Sequence, residues 1–156
     1  MWLAWRALLA LLMLPGVVAF LVPWLIVRPR LPDELNPLGM IPFVLGTGLL
    51  CWCVATFYRM GRGTLAPWDP PQRLIVTGIY GLTRNPMYAA VVCVLCGWAV
   101  AFESWPLAVY GMAALLAFHL RVVLGEEPSL ERRHGERWAR YKASVPRWLG
   151  RVRTHA

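Results

Sequence analysis

The 156-residue sequence predicts an all-α integral membrane protein with four transmembrane helices, N- and C-termini in the cytoplasm, and C-terminal amphipathic helices at the interface. Three observations predict it. Composition comes first: 58% of residues are hydrophobic and 15% charged, against about 45–50% and about 25% in a soluble domain, with a mean hydropathy of +0.51. Such a chain has too little polar surface to cover a globule, which excludes an ordinary soluble enzyme and a disordered chain. Second, four apolar windows approach the roughly 17–25 residues that cross about 30 Å of hydrocarbon. Third, the basic residues sort to one side of those windows.

The first span, residues 7–27, is uncharged between Arg6 and Arg28. Pro15 and Pro23 should bend it, which neighbouring helices permit by satisfying the freed carbonyls. Its apolar run exceeds the roughly 7–15 residues of a signal-peptide core and no A-x-A-like site follows, so it reads as a retained helix. The second span, 38–58, ends at Arg59. Residues 61–81 are loop-like, broken by Pro67, Pro70, Pro71 and Gly78. The third and fourth spans, 86–102 and 105–124, are separated only by Glu103 and Ser104, a helical hairpin. From Ser129 to Trp148 the tail mixes Arg with Trp138, Tyr141 and Trp148, as one or two interfacial helices broken at Gly135. The whole chain is one domain.

With four spans, Arg6, Arg59, Arg62, Arg73, Arg84, Arg121 and every later basic residue share a side, and only Arg28 and Arg30 lie opposite. The net charge of +8 therefore marks a cytoplasmic face and needs no nucleic acid to explain it. The expected location is multi-pass in a bacterial inner (cell) membrane, with the site facing the cytoplasm. Cys51, Cys53, Cys93 and Cys96 all fall inside spans with no His or acid beside them at that depth. They read as buried apolar fillers, and no metal is expected. Neither a G-x-G-x-x-G nor a P-loop motif occurs, so a nucleotide-like cofactor would be held in another way.

Two clusters carry the candidate chemistry. One runs Gly78-Ile-Tyr80-Gly81-Leu-Thr-Arg84-Asn85-Pro86-Met87-Tyr88 into the third span. Asn85 suits a helix N-cap and Pro86 the first helical position, so the positive end of a helix should face the cytoplasm beside Arg84. The plain alternative is a capped helix with Arg84 on lipid phosphate. The other cluster, His119-Leu-Arg121-Val-Val-Leu-Gly125-Glu126-Glu127-Pro128, closes the fourth span. His119 and Glu126 share a helix face, and Pro128 with Gly125 should break the helix and re-aim Glu127. Against these stand a packing role for His119 and a snorkelling Arg121. A hairpin brings the positive and negative ends together, which suits a zwitterion such as S-adenosylmethionine, its sulfonium facing Tyr80, Tyr88 or Trp138.

At these residues the sequence resembles the isoprenylcysteine carboxyl methyltransferases and their relatives the phospholipid N-methyltransferases. Gly78 and Tyr80 match the family's G-x-Y. Arg84, Pro86 and Tyr88 match its R-H-P-x-Y, with Asn85 where the His stands. Glu126, Glu127, Pro128 and Leu130 match the acidic element, and Gly135, Tyr141, Val145 and Pro146 the tail, with Trp138 at the tail's first Tyr. The resemblance covers about residues 61–148. It implies an integral membrane enzyme that binds S-adenosylmethionine through Gly78, Tyr80, Arg84, Asn85, Pro86, Tyr88, Glu126, Glu127 and Tyr141. Arg84, Glu126 and His119 are the expected catalytic residues. The expected acceptor is a membrane lipid or other amphiphile: a carboxylate that Arg84 or Arg121 need only orient, or the amine of a phospholipid such as phosphatidylethanolamine, deprotonated by Glu126 or His119. A non-catalytic membrane scaffold or lipid-binding subunit is the reading from another class.

Overall fold

The computed structural model describes residues 12–29, 31–60, 74 and 76–148, and all regular structure among them is helical. The expected start of the first span and the prolines of the 61–73 loop lie outside the described residues. Helix α1 is a π-helical stretch, Leu12–Leu21, continuing as α-helix over Val22–Val27. Helix α2, Met40–Met60, is entered through a 3-10 turn at Pro37–Gly39. A second 3-10 turn, Gly78–Gly81, precedes α3, Pro86–Ala101. Helix α4, Trp105–Arg121, runs through a π-helical segment, Val122–Glu126, into α5, Glu127–His134. Gly135, at φ +49°, turns the chain into α6, Glu136–Ser144. Two helices are long and apolar enough to cross a membrane, Pro37–Thr56 and Trp105–His134, and two shorter apolar helices accompany them.

The expected hairpin of the third and fourth spans is present, and α3 sits at the centre of the bundle. Its Ala90, Val91, Val94 and Leu95 pack against Ala19 of α1, Leu50 of α2 and Ala114 of α4. Large side chains such as Leu45, Trp52, Met112 and Leu116 point outward instead. In a membrane, helix contact comes from close packing and not from hiding apolar surface. Accordingly α2 and α3 nearly touch by their backbones: a Cβ on Gly46 would stand 2.7 Å from Val94 N, and one on Gly97 2.6 Å from Phe43 N.

Helix α1 is held by the carbonyls that Pro23 frees. Pro23 has no N–H, so the carbonyls four and five residues earlier, Ala19 and Val18, lose a helical partner. Trp98 Nε1 donates to Ala19 O at 2.9 Å and Tyr110 Oη to Val18 O at 3.0 Å. These two bonds tie α1 to α3 and α4.

Three expectations need correction. The helix does not break at Pro128. Its missing N–H would orphan a carbonyl in α geometry, but the helix widens by one residue, Glu127 N donating to Val122 O, and Pro128 then falls in the first turn of α5, where no donor is required. Hence the tail's first helix is an extension of the fourth span, and only α6 is separate. The cysteines are also not uniformly buried: Cys53 is, whereas Cys51 and Cys96 are exposed on helix surfaces.

Candidate functional site

The site lies at the end of the bundle where α3 begins and α4 continues into α5. The 3-10 turn brings Gly78 in at φ +62°, a left-handed conformation that glycine adopts without strain. It leaves Tyr80 buried, and Tyr80 O accepts a 2.6 Å bond from Tyr141 Oη. Burial pushes the Tyr141 phenol up to about 12, so it acts as a neutral donor. Trp138, Tyr141 and Val145 form a small second core with Leu74 and Leu130. The apolar face of α6 is therefore spent on the protein itself, which docks the tail against the 78–85 segment.

Arg84 enters this frame through its backbone and its side chain. Its N donates to Pro146 O at 3.0 Å, its guanidinium lies 5.4 Å from the centre of the Trp138 ring, and one nitrogen meets Glu127 Oε1 at 2.9 Å. Both side chains of that ion pair are 8% exposed. Arg147 grips the same carboxylate at both oxygens, Nε to Oε1 at 2.7 Å and a terminal nitrogen to Oε2 at 2.9 Å. Burial opposes the charge on Glu127. The Arg147 hydrogen bond and the charges of Arg84, Arg147 and Lys142 outweigh it and hold this carboxyl, beyond the apolar part of the helix, below its ordinary range.

Glu126 faces elsewhere. Its Oε1 accepts from Tyr88 Oη and from Arg121 Nε, the latter at 3.0 Å, and Arg121 Nε also reaches Tyr88 Oη at 3.1 Å. Phe118 stacks on Tyr88 at 4.6 Å between ring centres. The Glu126 and Arg121 side chains are 35% and 44% exposed, so this second ion pair is reachable from outside while the Glu127 pair is sealed.

The structure thus brings Arg84 to Glu127, Tyr88 to Glu126 and Tyr80 to Tyr141, with Pro86 buried at the start of α3. It does not bring His119 to Glu126: His119 Nδ1 accepts from Trp148 Nε1 at 3.2 Å. Nor does the Asn85 side chain cap α3. It stands at the N-cap position, but its Nδ2 donates to Arg147 O at 2.9 Å. Sequence reasoning passed over Arg147, named Trp148 only as part of the amphipathic tail, and gave Arg121 only as an orienter of a carboxylate acceptor. The signal was present, since a paired acid so deep requires more counter-charge than Arg84 alone, and Arg147 follows directly on the Val145-Pro146 tail motif.

The donor set fits a zwitterionic ligand. The first turn of α3 offers N–H groups that Asn85 does not take. Arg84 Nε is buried with no hydrogen-bond partner among the described residues. Glu126, bonded to Tyr88 of that first turn, adds an accessible negative charge. Residues 36–137, well over half of the chain, match the family model described as phospholipid methyltransferase. No curated protein and no solved structure matches the chain.

Proposed function

The chain belongs to the phospholipid methyltransferase family, and from that premise we propose that it methylates the headgroup of a membrane lipid with S-adenosylmethionine as donor, at the cytoplasmic face of a four-span bundle. The observation that carries the reading is the pairing of an accessible Arg121–Glu126–Tyr88 cluster with the positive start of α3. S-adenosylmethionine, when bound, supplies an electrophilic methyl group and leaves as a neutral thioether. The first-turn N–H groups of α3 would hold its carboxylate, with the buried charge of Arg84 behind them, and Glu126 its ammonium or the ammonium of the acceptor.

The family description favours an amine acceptor of the phosphatidylethanolamine kind over a carboxylate of the isoprenylcysteine kind. An ammonium must lose its proton before its lone pair can attack, and Glu126, held by Tyr88 and Arg121, would be the acceptor. Arg121 uses only its Nε in this cluster, leaving terminal guanidinium nitrogens for a headgroup phosphate. Tyr88, Phe118 and the apolar flank of α4 would exclude water from the transfer.

The test is direct. Purified protein is incubated with methyl-labelled S-adenosylmethionine and a total lipid extract, and the labelled product is identified. An aminophospholipid product is expected, with a rate that rises with pH; a flat profile and a methyl ester would instead indicate a carboxylate acceptor. Ligand at about 100 Kd should add roughly 2.7 kcal/mol of stability. No labelled lipid and no thermal shift at any concentration would remove the methyltransferase reading in favour of a scaffold.

A further inference from the structure

The family match ends at Arg137, yet the residues 145–148 beyond it contact Thr83, Arg84, Asn85, Glu127 and His119. Val145 is buried in the small core with Trp138 and Tyr141. Pro146 O accepts Arg84 N, and Arg147 O accepts both Thr83 Oγ1, at 3.2 Å, and Asn85 Nδ2. The Arg147 guanidinium takes both oxygens of Glu127, and the Trp148 indole bonds His119. Four consecutive residues therefore strap the 83–85 segment, α5 and the end of α4 to one another.

We propose that Arg147 and Trp148 are positioning residues that set the binding geometry of the site, an inference resting on the S-adenosylmethionine reading above. Three consequences define the role. By engaging the Asn85 amide, Arg147 O turns that side chain away from capping, so the first-turn N–H groups of α3 stay available to an anion. By satisfying both oxygens of Glu127, the Arg147 guanidinium fixes the carboxylate that holds Arg84, and leaves ligand contact to Glu126. An indole N–H only donates, so Nδ1 of His119 carries a lone pair and the imidazole proton sits on Nε2. His119 therefore pins the strap and is not the base in this arrangement.

The experiment uses the full chain in detergent, as wild type, Arg147→Ala, Arg147→Lys and Trp148→Phe. The last keeps a ring against His119 and deletes only the donor, so it remains informative where Arg147→Ala unfolds. Three quantities are read: the Kd of S-adenosylhomocysteine by calorimetry, the thermal midpoint, and amide hydrogen exchange over residues 83–88 without ligand. Arg147→Ala and Trp148→Phe are expected to weaken binding by about tenfold or more and to speed exchange over 83–88, Trp148→Phe at a nearly unchanged midpoint and Arg147→Ala at a lowered one because it strips two donors from the buried Glu127, with Arg147→Lys recovering part of the affinity. A lowered midpoint with unchanged Kd and exchange would make the strap merely structural and overturn the proposal. A wild type that binds no S-adenosyl ligand while the variants still exchange faster would remove the methyltransferase reading and keep the strap. If exchange and binding are both unaltered, the strap falls.

Discussion

At the scale of single residues, the two adjacent glutamates differ in what surrounds them, and that difference assigns their work. Glu127 is sealed between Arg84 and Arg147, so its loss strands a buried guanidinium, whereas Glu126 and its partner reach water. Breaking a buried pair from one side costs about 3–5 kcal/mol, and an exposed pair is worth about 0–1 kcal/mol. Glu127→Gln should therefore lower the thermal midpoint sharply. Glu126→Gln should leave it nearly unchanged but cut methyl transfer by about 10²–10⁴-fold, the usual loss of a general base; wild-type turnover in Glu126→Gln would take that residue out of the site. The pH dependence follows the same residue. Glu127 titrates below its ordinary value of 4.5 in the folded protein. Its contribution is complete above about that pH and disappears as pH falls through the lower folded value. Wild-type stability should decline there, and Glu127→Gln should lack that part of the decline.

At the scale of helices, α2 and α3 are held by what their glycines leave out. A methyl group at Gly46 or Gly97 would meet backbone at 2.7 Å or 2.6 Å, but one at Gly48, on the same helix as Gly46, meets nothing within 4 Å. Gly46→Ala and Gly97→Ala should each destabilise by about 1–3 kcal/mol through overpacking. Gly48→Ala should be neutral or stabilising by about 0.4–1 kcal/mol. Thermal unfolding of the three variants in one detergent checks the contrast, and equal effects at all three would refute backbone contact as the reason. These helices were legible in the sequence because hydropathy and proline position are local properties, and the carbonyls freed by Pro23 found partners as that proline required. The course of the chain past Pro128 was not legible: a one-residue π widening depends on where α5 must dock, and a proline alone does not report it. Asn85 carries donors and an acceptor, so its sequence position could not distinguish a cap from a donor to Arg147 O. The strap acts in part through the carbonyls of Pro146 and Arg147, which every residue possesses and no side-chain pattern reveals.

At the scale of the whole molecule, the two ends of the bundle differ in charge, and their contacts fix which segments share an end. Asn36 N donates to Ala101 O, and its Nδ2 to Glu103 Oε1, both at 2.9 Å, so the residues before α2 and the α3–α4 turn lie together. Helix α3 carries the chain from there to Arg84 over 16 residues, about 24 Å at 1.5 Å each. The Asn36 end holds Asp33, Glu34, Glu103 and Arg28. At the Arg84 end the chain carries Arg121, Arg132, Arg133, Arg137, Arg140, Lys142 and Arg147. The positive-inside rule predicts such a basic end on the cytoplasmic side. Single cysteines placed at Asp33 and Ser104 in a chain lacking its four native ones should therefore react with an impermeant maleimide added outside inverted-free, intact cells. A cysteine at Arg132 should react only after the cells are opened. Because α3 is shorter than the apolar core is thick, its labelling also discriminates two arrangements: a helix that crosses puts Ser104 outside with Asp33, whereas one that stops within the bilayer would leave Ser104 protected on both sides and reduce the bundle to two full spans.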